Sequence, residues 1–358
     1  MSAGAMRAAV FHGPGDVRVE RVDAPAGPGA GEVVLTVLRA AICGTDCAEY
    51  RHGPVLVPLA HRHPVSGHVG PLILGHEFAG VVDAVGDGVT GLRTGDRVVS
   101  GAGVSCGSCR WCRAGRTNLC ARYFTIGLHA HGGLAERVRV PASTCLAVPA
   151  SCSHDHAALA QPLAVGIHAV ARGGVAAGQD IAVIGVGGIG AFVVAAAAGR
   201  RARRIVAVDV DPEKLELARR LGATDVVDAR HDDPAATVAE LTGGDGVDVA
   251  LEASGTAGGP ATAIAVTRRG GTMVVIGLQP QPVALDLLDV TVREIDVRSS
   301  MAHVLADDLP EALALLADGR LGDAVCDRVI GLDALVPEGL EALASGAASG
   351  KIVVDPWI

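Results

Sequence analysis

Aromatic residues make up only 2% of this 358-residue chain, which excludes a core built on large rings and leaves Ala, Val, Leu and Ile to fill it. Basic charge is also short. The formal net charge is -9, and a general binder of nucleic acid or of an anionic membrane needs a cationic face. The chain has no uninterrupted apolar run of about 18 residues or more, so no membrane-spanning helix is expected. The opening residues, Met1-Ser2-Ala3-Gly4-Ala5-Met6, lead into no long apolar stretch, and a cytoplasmic location is the default expectation.

Glycine is plentiful, with 48 residues, and hydrophobic residues make up 49%. That mixture suits β-strands alternating with Ala-rich helices, and a chain of this length is expected to form about two domains. Nine cysteines without an export signal read as thiols or metal ligands rather than a disulfide framework. Cys106, Cys109, Cys112 and Cys120 fall close together, while Cys43, Cys47, Cys145, Cys152 and Cys326 are scattered.

The texture changes along the chain. In the first 150 or so residues, short apolar runs such as Glu32-Val33-Val34-Leu35-Thr36-Val37-Leu38 and Gly80-Val81-Val82-Asp83-Ala84-Val85-Gly86 end at turns, as strands of a β-rich domain do. Residues 51–74 carry Gly, Pro and His with no period and read as an irregular loop. From about residue 160, strands and helices alternate. Ile181 to Ile184, Ile205 to Asp209, Val247 to Glu252 and Thr272 to Gly277 each resemble a buried strand, which predicts a parallel, doubly wound α/β sheet. After about residue 300, helical stretches at Leu309 to Leu316 and Val336 to Leu343 and a final strand, Lys351 to Val354, are expected to rejoin the first domain.

Gly185-Val186-Gly187-Gly188-Ile189-Gly190 fits G-x-G-x-x-G and sits between a strand and a helix, the context that makes this motif a dinucleotide site. Gly185 allows the tight turn, Gly187 lets backbone amides approach a pyrophosphate, and Gly190 lets helix and strand pack closely. Asp209 closes the next strand at the spacing of about 20 residues where a carboxylate takes the ribose hydroxyls of NAD and repels the extra phosphate of NADP. The alternative is that the glycines only tighten a turn and Asp209 caps the following helix. Lys214 falls near the ribose or is simply a solvated helix residue.

Cys106-x2-Cys109-x2-Cys112-x7-Cys120 brings four thiolates onto one short loop, a set that matches tetrahedral zinc with no open position. Such a site holds a loop and performs no chemistry. Arg110, Trp111, Arg113, Arg116 and Arg122 surround the cysteines, a combination that also suits single-stranded nucleic acid. The acidic whole and the dinucleotide motif stand against that reading. Cys43-Gly44-Thr45-Asp46 and Gly75-His76-Glu77 supply a thiolate, an imidazole and a carboxylate, a mixed set that suits a zinc keeping one position for substrate.

With these residues in view, the chain resembles the zinc-dependent medium-chain dehydrogenases, most of all the branch of 2,3-butanediol, sorbitol and threonine dehydrogenases. The resemblance covers nearly the full length and also rests on Glu49-Tyr50, Gly53-Pro54 up to His63-Pro64, Leu74 to Phe78, Gly95-Asp96-Arg97-Val98 and Pro162-Leu163-Ala164-Val165. It implies a GroES-like catalytic domain with a structural zinc loop over residues 1–160, a Rossmann NAD-binding domain over 161–299 and a return to the catalytic domain over 300–358. It also implies two zinc ions, one catalytic and one structural, with NAD as cofactor, a small alcohol or ketone substrate, and a homodimer or homotetramer. Cys43 and His76 would be metal ligands, Glu77 a carboxylate able to join them, Asp46 the partner orienting His76, and Thr45 the acceptor of the substrate's hydroxyl proton.

Two departures matter. Relatives have Glu before Pro-Leu-Ala-Val where this chain has Gln161, so the third protein ligand is a neutral amide unless Glu77 ligates directly. Relatives often have His five residues after the ligand cysteine where this chain has Ala48, which removes the far end of their proton relay. These changes support a rival reading, a dinucleotide-binding member that keeps only the structural zinc. His52, His61, His63 and His68 read as ordinary exposed-loop histidines.

Overall fold

Short runs of Val and Ala build the strands of the first unit in the computed structural model, which describes residues 4–279 and 281–358. The chain divides into two units, Met1–Gln161 with Val304–Ile358, and Pro162–His303. In the first, β1 (Ala5–Gly13) and β2 (Asp16–Asp23) pair antiparallel. There follow β3 (Glu32–Ala41), helix α1 (Gly44–His52), β4 (Leu72–Ile73), β5 (Glu77–Val85), β6 (Arg97–Ser100), β7 (Arg137–Pro141) and β8 (Cys145–Ala147). A 3-stranded sheet has the order β2-β1-β4. A 7-stranded sheet runs β8-β6-β5-β3, continues through the strands Lys351–Asp355 and Cys326–Gly331, and takes β7 as a third partner of β3. The C-terminal strand therefore lies against β3, with Val353 opposite Ala41.

The core of this unit gathers Phe11, Leu35, Phe78, Leu134 and Ile352, all fully buried. Each aliphatic or Phe side chain so withdrawn contributes about 1.5–3 kcal/mol, and this collective burial fixes the strand register on which the site depends.

The second unit is the doubly wound sheet that the sequence predicts. After α2 (Ala160–Gly173), whose first two residues belong to the first unit, come β9 (Asp180–Ile184), α3 (Gly188–Gly199), β10 (Arg204–Asp209), α4 (Pro212–Arg220), β11 (Asp225–Asp228), β12 (Val247–Glu252), β13 (Thr267–Val275) and β14 (Asp296–Ser299). All pair in parallel, in the order β11-β10-β9-β12-β13-β14. The order reverses between β9 and β12, and open α/β sheets bind their ligands beyond the C-terminal strand ends at such a reversal. Helix α3 is mostly Ala, Val and Gly and is buried over most of its surface, including Phe192 and Val193, as expected for a helix lying on a sheet.

Several elements differ from the sequence reading. The irregular stretch narrows to 53–71, because α1 runs through His52 and Leu72–Ile73 pairs with β1. His63 and His68 are half-buried, not free on an exposed loop: their rings pack against His129 at 4.5 Å and His131 at 4.8 Å. His52 and His61 are exposed. The helix expected at Leu309 starts earlier, at Leu305, and the stretch near Val336 is a wide π-type turn, Leu335–Leu340, followed by Glu341–Ser345. Among the described residues no helix is long and apolar enough to cross a membrane.

Candidate active site

The antiparallel register of β3 and β5 places Glu77 opposite Ala41, so the turn that leaves β3 at Cys43 meets the chain entering β5 at His76. The Cys43 sulfur, a ring nitrogen of His76 and a carboxylate oxygen of Glu77 lie within 4.8 Å of one another. His76 and Glu77 are buried and Cys43 is half-buried. Cys43 caps the N-terminus of α1, where its N–H donates to Asp46 Oδ2 at 2.9 Å. The other oxygen of Asp46 stands 3.7 Å from His76 Nδ1, and neither atom has a hydrogen-bond partner. Thr45 Oγ1 is 3.7 Å from Cys43 Sγ.

The electrostatics of this cluster favour a cation. Burial opposes a charge on His76, but Cys43, Asp46 and Glu77 around it prevail and push its pKa up to about 10. Burial in turn pushes the Asp46 carboxyl up, with His76 pulling the other way. A buried imidazole ringed by a thiol and two carboxyls, with orphaned polar atoms at Asp46 Oδ1 and His76 Nδ1, fits a divalent ion with mixed S, N and O donors. Gln161, 7% exposed, lies in the first turn of α2 as the last residue of its unit.

Lys351 is a member of the site that the sequence reading passed over. It is buried, donates to the carbonyl of Ile42 at 2.6 Å and pairs with Glu77 Oε2 at 2.5 Å. Burial opposes its charge, but Glu77 and Cys43 prevail and hold its pKa above the ordinary lysine value. The signal was a lone cation opening the apolar run Ile352-Val353-Val354, since a buried lysine requires a partner.

The four clustered cysteines also converge, their sulfurs lying within 4.8 Å of one another, with Cys109 and Cys112 3.6 Å apart. All nine cysteines of the chain are free thiols. The backbone N–H groups of Cys106 and Arg122 point at Cys120 Sγ, at 3.2 and 3.3 Å. Hydrogen bonds from the Ser108 backbone, then its hydroxyl, pull Cys106 down to about 5, whereas burial and the neighbouring sulfurs push Cys112 up to about 11. Four thiols at this distance cannot all ionise unaided, and a divalent cation among them would supply the charge that lets them. The guanidinium of Arg110 covers the Trp111 ring at 4.5 Å, and Arg113 donates to the carbonyl of Ser108.

In the second unit, Gly185 adopts φ +83, and a Cβ there would stand 2.5 Å from Ser254 Cα; at Gly190 a Cβ would stand 1.9 Å from the carbonyl oxygen of Gly185. Gly187 precedes α3 with open space around it and no side-chain cap, and Gly188 and Ile189 form the first helical residues, so the first N–H groups of the helix have no side-chain cap, as an anion at a helix N-terminus requires. Asp209 does not cap the next helix; Asp211 does, accepting from the N–H of Glu213. Asp209 instead accepts the N–H of Val186 at 2.8 Å through one oxygen and those of Val210 and Asp211, at 2.8 and 3.1 Å, through the other. This holds the carboxylate against the glycine turn. Lys214 is paired with Asp211 at 3.4 Å.

Comparison with known proteins agrees with both halves. Residues 29–150 match the alcohol dehydrogenase GroES-like domain and residues 188–318 match the zinc-binding dehydrogenase domain. The chain is 34% identical over 353 residues to (R,R)-butanediol dehydrogenase of Bacillus subtilis (strain 168), covering 98% of this chain and 100% of that one. It is 34% identical over 316 residues to sorbitol dehydrogenase of the same organism, covering 88% and 86%. The crystal structure of 2R,3R-butanediol dehydrogenase from Bacillus subtilis superposes with a TM-score of 0.90 at 33% identity, covering 98% of this chain and 99% of that chain. The chain belongs to the zinc-dependent medium-chain alcohol dehydrogenases, oxidoreductases that act on alcohols and polyols.

Proposed function

We propose that the protein moves a hydride between a secondary alcohol or vicinal diol, of butanediol-like or polyol type, and NAD. The observation that carries this reading is the convergence of Cys43, His76 and Glu77 within one buried cluster. These residues, with Gln161 as a further candidate ligand, would hold the catalytic zinc, and Cys106, Cys109, Cys112 and Cys120 the structural one. When bound, zinc would supply Lewis acidity toward the alcohol oxygen, and NAD would supply the hydride acceptor.

The remaining work falls to the chain. Thr45 takes the hydroxyl proton of the substrate, Asp46 orients the His76 ring, and Lys351 holds Glu77 in place while balancing its charge. Ala48 leaves the proton's exit to water or to another histidine. Asp209 offers its carboxylate to the ribose hydroxyls, which favours NAD over NADP. The outer edge of β14 carries exposed Val297, and the preceding helix Leu287–Val292 exposes Leu287, Leu288 and Val292, an apolar surface that suits pairing of two copies into a homodimer or homotetramer. Nine unpaired cysteines suit a reducing, cytoplasmic setting.

A second reading, a dinucleotide binder that has lost its catalytic zinc, is favoured by the neutral amide at Gln161. Metal analysis separates the two, with about two zinc ions per chain expected for the enzyme and about one for the binder. A panel of secondary alcohols, diols, polyols and L-threonine, assayed with NAD and NADP, tests the substrate class. Absence of NAD-linked oxidation of any secondary alcohol by zinc-replete protein would overturn the proposal.

A further inference from the structure

Glu252 takes no part in the chemistry above, yet its carboxylate is completely buried at the C-terminal end of β12. A carboxylate persists in such a place only where donors converge on it. Its Oε1 accepts the N–H of Ser254 at 2.9 Å, the N–H of Gly255 at 3.1 Å and the hydroxyl of Ser254 at 2.5 Å. The turn that follows β12 is thus wrapped around a single oxygen.

Two neighbouring turns close on the same residue. Beyond β13, the N–H groups of Ile276 and Gly277 donate to the Glu252 carbonyl at 2.8 and 3.0 Å. A Cβ at Gly277 would stand 2.4 Å from Gly255 N and 2.8 Å from Glu252 Oε2. On the other side, Ser254 packs directly on Gly185, the first glycine of the dinucleotide motif. Glu252 therefore links the turns at the ends of β9, β12 and β13, three adjacent strands beside the reversal of strand order.

We infer that Glu252 is a positioning residue for the dinucleotide: by holding the Ser254-Gly255 turn against Gly185, it sets the opening through which a pyrophosphate reaches Gly187. The inference rests on the reading of the second unit as a dinucleotide site. Bonds from N–H and O–H groups to a carboxylate are stronger than neutral ones, so this oxygen can define the geometry of a glycine turn that has little stiffness of its own.

The test is NADH binding to the full chain, followed by fluorescence titration, with thermal unfolding and zinc content measured on the same samples. E252M keeps the length of the side chain and removes both acceptors; E252Q keeps one acceptor oxygen for Ser254 and Gly255. E252M is expected to bind NADH at least ~10-fold more weakly and E252Q to stay within about threefold of wild type, since orphaning buried donors costs far more than exchanging an acceptor. Zinc content should not change. S254A, which loses the hydroxyl's bond to Glu252 together with its bonds to Thr256, should weaken NADH about threefold and carries the test should E252M fail to fold. Wild-type NADH affinity in folded E252M, even with a lower unfolding temperature, shows a purely structural role and overturns the inference; wild-type affinity in S254A does the same where E252M is unfolded. Failure of the wild-type chain to bind either NADH or NADPH would instead overturn the dinucleotide reading itself.

Discussion

Lys351 Nζ stands 2.5 Å from Glu77 Oε2 and 2.6 Å from the carbonyl of Ile42, with both charged side chains sealed from solvent. One cation therefore ties the C-terminal strand both to the start of β5 and to the residue before Cys43. Removing it strands a buried carboxylate. K351M is expected to lose about 3–5 kcal/mol of stability, the range for breaking one side of a buried pair. The double variant E77Q/K351M should recover a large part of that loss, because it leaves no unpaired charge. Urea unfolding of the three proteins decides the matter, and a K351M midpoint equal to wild type would show that Glu77 is held by something else.

Cys43 and His76 are proposed to hold the metal that activates the alcohol, whereas Gly187 and Asp209 belong to the other unit. Their losses should separate cleanly. C43S and H76A are expected to lower turnover by at least ~1,000-fold, since catalysis by the metal disappears, and to leave NADH affinity within about threefold. Zinc should fall from about two ions per chain to about one, with the four-thiolate loop still loaded. Turnover close to wild type in either variant would remove the metal from the mechanism.

Features encoded by local spacing were legible in the sequence. Gly185 to Gly190 sit between a strand and a helix, and the four clustered cysteines are close in the chain, so the glycine turn and the convergence of the sulfurs follow from short-range pattern. Lys351 and Glu252 were not legible in that way. Lys351 meets Glu77 across 274 residues of sequence through the pairing of the C-terminal strand with β3, and Glu252 reads as the polar end of an ordinary strand until its donors are located. β11 and β14 were missed for another reason: each is four residues long at a sheet edge, and Asp225, Asp228 and Asp296 at their ends break the apolar run that marks a buried strand. His63 and His68 were misjudged because their partners, His129 and His131, come from a distant segment.

Asp209 gives a prediction about cofactor choice. Its two oxygens are already aligned by three backbone N–H groups, which fix the carboxylate beside the glycine turn, where it is proposed to take the ribose hydroxyls. D209S removes the negative charge that opposes a 2′-phosphate and shortens the acceptor. The ratio of NADPH to NADH affinity is expected to rise at least ~10-fold, mostly through weaker NADH binding. Titration of both nucleotides measures it. An unchanged ratio would mean that the preference is set elsewhere.

Asp180, at the start of β9, supplies a pH-dependent test of the second unit. Its carboxylate accepts from Arg203 at 2.6 and 2.8 Å and from Arg204 at 3.4 Å. The hydrogen bonds from Arg203, aided by its charge and working against burial, hold the Asp180 pKa below its ordinary value. A carboxyl depressed in the folded state binds its proton more readily when unfolded, so it stabilises the fold fully above the unfolded value of about 3.9 and loses that contribution as pH falls through the lower folded value. Arg203 is largely exposed, which screens the pair and limits it to about 1 kcal/mol. D180N should therefore unfold about 2–4 °C below wild type at pH 7, and the gap should close as the pH drops below about 3. A gap that stays constant across that range would assign the loss to packing around β9 rather than to the ion pair.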